Sequence, residues 1–418
     1  MAELTYRAPK GTRDLLAPTS TRFRALVEVF ATLAERAGFA LIVPPMFEDV
    51  RVFERLGEAT DVVTKEMYVI DTKGGDRLAL RPEQTASVVR AFVEHRPDTP
   101  WKAWYAGPNF RYERPQAGRY RQFDQVGVEI LGTDDAEADV EVIALGWRFF
   151  EAVGLRRVTL KLNSLGSADD RARYVDSLRD HLTANADALS DQGRATLTKN
   201  PLRVLDSKRP EDAPVIDAAP SITEHLSDDA AAHLERVASG LDGLGIPYTL
   251  TPRLVRGLDY YTRTAFEYVA EALESSQDAV GGGGRYDGLV EAMGGPPSPG
   301  IGLALGVDRL LLACDAEGAF PAPASSVDVF VVDVIDGTTA TVLCDELRRA
   351  GMRADRAFDG RSMKSQMKRA GASGAAVAVI VGEQELADAT VVVRDLRTAE
   401  QQAVPRDDVV DRVRKLIP

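Results

Sequence analysis

Apolar residues recur at three- and four-residue spacing between residues 20 and 37: Phe23, Leu26, Val27, Phe30 and Leu33. That stripe predicts an amphipathic helix, capped by Thr19 or Ser20, stopped by Gly38 and packed on a sheet. A short apolar strand over 40–43 follows, and Pro44 and Pro45 end it because they cannot continue a central ladder. Between residues 101 and 131 the period falls to two, giving two extended segments joined by the polar loop 114–120. In the second segment Arg121, Phe123, Gln125, Gly127 and Glu129 alternate with Gln122, Asp124, Val126, Val128 and Ile130. One strand face is therefore apolar along its C-terminal half, while the other carries Arg121, Gln125 and Glu129. On the first segment Asn109, Arg111 and Glu113 share a face. A hairpin that points charged and amide groups one way makes a floor for a polar ligand.

Residues 166–245 are rich in Ala, Asp, Arg and Leu at helical spacing, with a Pro-containing break at 209–220, and predict a helical insertion. Extended, Gly-rich sequence resumes at Tyr248 and runs to Leu312, and Phe320 to Ser326 is a linker by composition. Beyond it, strand (328–334), helix (338–350, closed by Gly351), strand, helix (362–370), two strands (375–381 and 390–394) and a final helix describe an α/β domain. The chain thus divides into 1–165, 166–245, 246–320 and 327–418.

With 418 residues, 44% hydrophobic and 28% charged, the chain can bury a large core over several domains and is not disordered. Acids interrupt its longest apolar runs well before the roughly 20 residues of a membrane span. The N-terminal ten residues lack the apolar segment of a secretory signal. A cytoplasmic protein without membrane attachment is expected. Two cysteines and four scattered histidines supply no disulfide framework and no metal-ligand spacing, so no residue is expected as a metal ligand. A net charge of −13 argues against a protein that coats nucleic acid through bulk positive potential, so any such contact must be local.

Neither a Walker loop nor a dinucleotide fingerprint is present, since Gly300 to Gly306 does not match it, and no histidine sits in a nucleophile-like setting. What remains is a set of arginines and carboxylates: Leu80-Arg-Pro-Glu-Gln-Thr85, the run Phe110 to Phe123, Leu254 to Tyr261, Gly281 to Gly284 with Arg285-Tyr-Asp287, and Gly306-Val-Asp-Arg309. Each alone reads more readily as a surface ion-pair face or, for the glycines, a flexible loop than as a site; their joint presence shifts the weight towards a site.

With Lys10-Gly-Thr-Arg-Asp-Leu15 and Gly360-Arg-Ser-Met-Lys364, these segments resemble the bacterial-type histidyl-tRNA synthetases, a class II aminoacyl-tRNA synthetase family, over nearly the whole chain. The resemblance implies an α+β fold, an antiparallel catalytic sheet flanked by helices, with a helical insertion and a C-terminal α/β anticodon-binding domain. It implies activation of L-histidine with ATP and Mg²⁺, then transfer to tRNA(His), by a homodimer built on motif 1 near residues 26–48. Arg111 and Arg256 are the implied catalytic residues, with ATP held by Arg111, Glu113, Arg119 and Arg309. Histidine falls to Glu83, Thr85, Gln125, Glu129, Arg256, Tyr260 and Tyr261. The glycine run lets backbone approach that substrate.

For tRNA the resemblance implies Gln116 and Arg119 in the hairpin loop. It adds Arg361, Lys364 and Lys368, which share a helical face apart from Met363, Met367 and Ala370; a solvated basic face is the alternative. Three positions depart from the family pattern. Gln84 stands where relatives commonly have Gly and Asp308 where they have Glu. Asp124 replaces His, and strand alternation places it opposite Gln125, away from the site. An inactive paralogue regulating ATP phosphoribosyltransferase is the competing reading, though such relatives typically lack Arg256 and the C-terminal domain. An RNA-sensing module attached to a kinase is weaker still, because no kinase segment is present.

Overall fold

The computed structural model describes residues 6–54, 65–205, 207–254, 260–273, 278–323 and 327–417. The first compact unit runs to Pro321 and the second begins at Ala322. In the first, α1 (Thr19–Arg36) leads to β1 (Ala40–Leu41), β2 (Phe47–Asp49), α2 (Val50–Glu54), β3 (Tyr68–Asp71), β4 (Arg77–Leu80) and α3 (Thr85–His95). The hairpin β5 (Trp101–Phe110) and β6 (Gln122–Leu131) follows, then α4 (Ala136–Ala152) and β7 (Val158–Ser164). Helices α5 (Ala168–Ala184), α6 (Asp191–Lys199), α7 (Ala213–Asp217) and α8 (Asp228–Gly243) precede β8 (Thr249–Leu250), β9 (Thr262–Ala270) and β10 (Ala279–Arg285). Helix α9 (Leu289–Ala292), β11 (Gly300–Gly306) and α10 (Val307–Glu317) complete the unit.

Eight strands form one sheet in the order β1-β5-β6-β11-β10-β9-β7-β8. The six central strands are antiparallel, and β1 and β8 pair parallel at the edges. Strand alternation decides its two faces. Val126, Val128 and Ile130 point into the main core with Leu26 and Phe30 of α1, Phe149 of α4, Leu241 of α8 and Leu310 of α10. Burying each such side chain contributes about 1.5–3 kcal/mol. The opposite face is covered at one end by α3 and α9, where Ala103, Tyr105 and Leu131 meet Val89, Phe92 and Val290. The rest of that face is left for the site.

Pro18 precedes α1 and no side chain caps it, contrary to the cap expected from Thr19 or Ser20; Gly38 takes the expected left-handed φ of 81°. The strand expected over 40–43 shrinks to Ala40–Leu41. Inside the break expected at 209–220 lies α7, because Pro214 occupies the first turn of a helix, where its missing N–H costs nothing. The region from α5 has its own small core around Tyr174, Leu178, Val204 and Val215, while Val237 and Leu241 of α8 join the main one.

The second unit is a five-stranded sheet ordered β13-β12-β14-β15-β16, with β12 (Val329–Asp333), β13 (Ala354–Arg356), β14 (Val377–Val381), β15 (Thr390–Asp395) and β16 (Gln401–Pro405). Its helices are α11 (Thr338–Arg349), α12 (Met363–Ala372), α13 (Glu383–Ala387) and α14 (Val409–Arg414). Strand β16 and the short α13 escaped the sequence pattern, since Gln401, Gln402 and Ala403 are exposed and show no alternation.

Candidate active site

Five adjacent strands build a floor whose middle is made of small residues. Tyr105, Gly127, Ala304, Gly282 and Glu267 are successive cross-strand neighbours from β5 to β9, and Ala103, Glu129, Gly302, Gly284 and Ala265 form the next row. A Cβ at Gly302 would collide with the Glu129 carboxylate, and one at Gly284 would lie 2.7 Å from the Tyr261 ring. Glycine is thus required where side chains lie flat across the sheet.

Above this floor is a cavity of about 310 Å³. Of the residues singled out by sequence, Glu83, Thr85, Arg111, Glu113, Arg119, Gln125, Tyr260, Tyr261 and Arg309 all line it. Arg111 follows β5 and donates from Nε to Pro82 O (2.9 Å), which draws it beside Glu83. Arg309, in the first turn of α10, donates to Ala279 O (2.8 Å) and Gly118 O (3.3 Å), tying β10 to the hairpin loop. Arg119 pairs with Glu113 across that loop. Burial first, then the positive charges of Arg119 and Arg111, pull the Arg309 guanidinium below its usual pKa; burial and Arg119 do the same to Arg111. Arginines remain charged under such pressure, so the cluster favours an anion.

At the other end Glu83 is buried, and its two oxygens accept from the N–H groups of Thr85 (2.7 Å) and Ala86 (2.8 Å) at the start of α3. Burial raises its pKa despite those bonds and the nearby Arg111. Arg111 therefore lies between an acid and the remaining arginines. Gln125 accepts from Asn109 Nδ2 (2.8 Å), and the rings of Tyr260 and Tyr261 meet at a tilt of 43° with centroids 4.5 Å apart.

Glu129 sits one layer below the cavity rather than on its wall. It is fully buried and accepts from Thr85 Oγ1 (2.7 Å), Tyr105 OH (3.2 Å) and Tyr286 OH (2.5 Å). Without a cation in this nest, burial pushes its carboxyl up to about 8. Tyr105 and Tyr286 were not singled out as site residues, because a tyrosine on an apolar strand or after a glycine run reads as core.

Asp124 overturns the expectation from strand parity. It lines the cavity beside Gln125, because β11 ends opposite Gln125 and α10 begins there, so the wall turns past the sheet's end. Asp308 of α10 accepts from Asp124 N (3.4 Å), so two of the three departures meet. Gln84, the third, is buried and donates to Gly107 O (3.2 Å) outside the cavity. Arg121 also leaves the floor: it precedes β6, and its guanidinium lies 3.8 Å from the Tyr112 ring centre. Arg256 lies outside the described residues.

Gln116 is an exposed loop residue bridged to Arg119. In the second unit Lys364 and Lys368 are exposed on α12, while Arg361 precedes that helix and sits 3.8 Å from Asp359. Met367 packs on the core and Met363 stays exposed; the buried position is taken by Gln366, which bonds Asp333 O (2.5 Å).

A family model for histidyl-tRNA synthetase matches residues 11–310, and one for an anticodon binding domain matches 328–416. The chain is 47% identical to the histidine–tRNA ligase of Rhodococcus erythropolis, covering 99% of this chain and 98% of that one. Against the Mycobacterium marinum ligase it is 47% identical, covering 98% of each. The apo histidyl-tRNA synthetase of Staphylococcus aureus superposes with a TM-score of 0.82 at 35% identity, over 98% of this chain and 99% of that one. Cavity, glycine floor and near-complete coverage by both matches agree: the chain belongs to the histidyl-tRNA synthetase family.

Proposed function

We propose that this chain is a histidine–tRNA ligase: it joins L-histidine to ATP as histidyl-adenylate, releasing pyrophosphate, and then passes histidine to the 3′ end of tRNA(His). The observation that carries the reading is the order of charges along one cavity, Glu83, then Arg111, then Arg309 with Arg119. The substrate ammonium pairs with Glu83, offsetting the cost of burying that acid. Its carboxylate oxygen attacks the α-phosphorus at Arg111, the bond to the β-phosphate oxygen breaks, and Arg309 and Arg119 take the departing charge. The nucleophile is already an anion, so no protein base is needed. The lining carboxylates Glu113 and Glu267 would hold a magnesium ion carried in on the triphosphate, which would neutralise part of the phosphate charge. Tyr260 and Tyr261 face the imidazole, and Glu129 orients the hydroxyls of Thr85, Tyr105 and Tyr286 from beneath, so an apolar isostere would leave buried polar groups unpaired.

Exposed Gln116 in the hairpin loop of the first unit, and separately exposed Arg361, Lys364 and Lys368 at α12 of the second, support tRNA binding by each unit. An apolar strip of exposed Leu41, Val43, Met46, Phe47, Val69 and Ile70 supports a homodimer. Pyrophosphate exchange into ATP, run with each amino acid in turn, tests the reading. Exchange with histidine alone is expected, and exchange with none, from folded protein, overturns it.

A further inference from the structure

The N-terminal segment 9–16 has no part in the reading above, yet it is fastened to the cavity at both walls. Gly11 O accepts from Arg121 N (2.8 Å) and Gln122 N (3.4 Å), at the root of β6. Gly11 adopts a φ of 84°, and a Cβ there would lie 2.7 Å from Arg121 Cγ, so this approach requires glycine. Two residues on, Arg13 pairs with Asp308 of α10, and its guanidinium lies 3.9 Å from the centre of the Tyr120 ring in the hairpin loop. Tyr120, Asp124, Asp308 and Arg309 all line the cavity, so this one arginine touches both the loop and the helix start that form its phosphate end.

Two carboxylates meet there. Asp308 is 7% exposed and adjoins Asp124, whose carboxyl burial and the Asp308 charge push up to about 6. The cations facing Asp124 are Arg13 from the N-terminal segment and Arg81 from the turn before α3; Arg13 also faces Asp308. Two unscreened acids beside Arg309 would repel a polyphosphate.

We propose that Arg13 is a positioning residue for the triphosphate: it holds Asp308, and with it the start of α10 that carries Arg309, against Tyr120 of the hairpin loop, while masking the Asp124–Asp308 acids from the nucleotide. This rests on the reading that the nucleotide lies along Arg111 and Arg309. The guanidinium is suited to the task because its plane lies over Tyr120 while Nη2 donates to the carboxylate.

The test is pyrophosphate exchange at saturating histidine with the full chain, comparing Arg13→Met, Arg13→Lys, Arg13→Met/Asp308→Asn and Arg309→Ala. Arg13→Met is expected to raise the KM for ATP about tenfold with a smaller change in kcat and none in the KM for histidine. The increase should be larger at pH 8 than at pH 6, because Asp124 gains charge as pH rises through about 6. Arg13→Lys should recover part of the loss, and Asp308→Asn should recover part in the Met background. A fall in kcat and melting temperature with the KM for ATP unchanged at both pH values would reduce Arg13 to a structural role and overturn the proposal. Should Arg13→Met fail to fold, a wild-type KM for ATP at both pH values in Arg13→Lys and in Asp308→Asn overturns it equally. Arg309→Ala separates the two readings: if it is impaired and Arg13→Met is normal, only the present inference fails; if both bind ATP normally, the triphosphate reading falls first.

Discussion

Glu129 and Asp139 are both fully buried carboxylates within the same unit, and their partners give them opposite characters. Glu129 is surrounded by hydroxyls, from Thr85, Tyr105 and Tyr286, and its carboxyl rises to about 8. Asp139 of α4 meets Arg285 through two close contacts (2.6 and 3.1 Å), His233 of α8 (2.6 Å) and Thr264 (2.6 Å), and its pKa falls although burial alone would raise it. Equal burial thus yields a proton-sharing acid beneath the cavity and a fixed anion behind it. The two nests touch through consecutive residues, since Arg285 serves Asp139 and Tyr286 serves Glu129. The ionic nest clamps α4, α8 and β10 together; the hydroxyl nest shapes the amino-acid end of the cavity.

Breaking the ionic nest should have the largest effect. Asp139→Asn leaves Arg285 buried beside a neutral partner, and a loss of about 3–5 kcal/mol is expected in chemical denaturation. A loss under 1 kcal/mol would show that the bonds Arg285 already makes to Thr133 O and Asp135 O (3.0 Å each) are enough to hold it. Next, Gly302→Ala drives a methyl into the Glu129 carboxylate. A cost of about 1–3 kcal/mol in melting is expected, together with a raised KM for histidine and little change in that for ATP.

Glu129→Gln should cost only about 1 kcal/mol, because hydroxyl donors can turn to serve an amide. Its sharper signature is in pH. The folded chain holds the Glu129 proton between the ordinary carboxylate range and about 8, so the folded state binds more protons there and stability falls as pH rises through that window. Stability curves at pH 5 and 8 should therefore converge in Glu129→Gln relative to wild type. The smallest effect is expected for His233→Gln, which can keep one bond to Asp139 while Arg285 remains; a melting shift of no more than about 1 kcal/mol, with exchange activity intact, would confirm that Arg285 dominates that nest.

Much of this site was legible in the chain. The motif segments contained Glu83, Arg111 and Arg309, strand alternation added Gln125, and the structure gathers them around one cavity. Alternation also placed Gln125 and Glu129 on one face of β6, because a strand has a period of two wherever it is paired. It failed past the end of β11, where β6 keeps only its β5 neighbour. Asp124 and Arg121 lie at the mouth of β6, where the loop, the N-terminal segment and α10 set their directions. Alternation gave Glu129 its face but not its depth, which follows from α3 and Tyr286 closing over it.

By itself the sequence determined the local elements and the inventory of charge: helical stripes, alternating strands, glycines where backbone must come close, and arginines outnumbering what a quiet surface needs in those motifs. Its restriction to local order has a physical cause, since periodicity and turn chemistry act over a few residues. Tertiary structure alone decided which charges meet. Arg13 and Asp308 are 295 residues apart, and Arg285 and Asp139 are 146 apart. Whether a carboxylate among them is masked, neutral or anionic depends on burial and on the partner that arrives across the sheet, which is a property of packing and is written in no single segment.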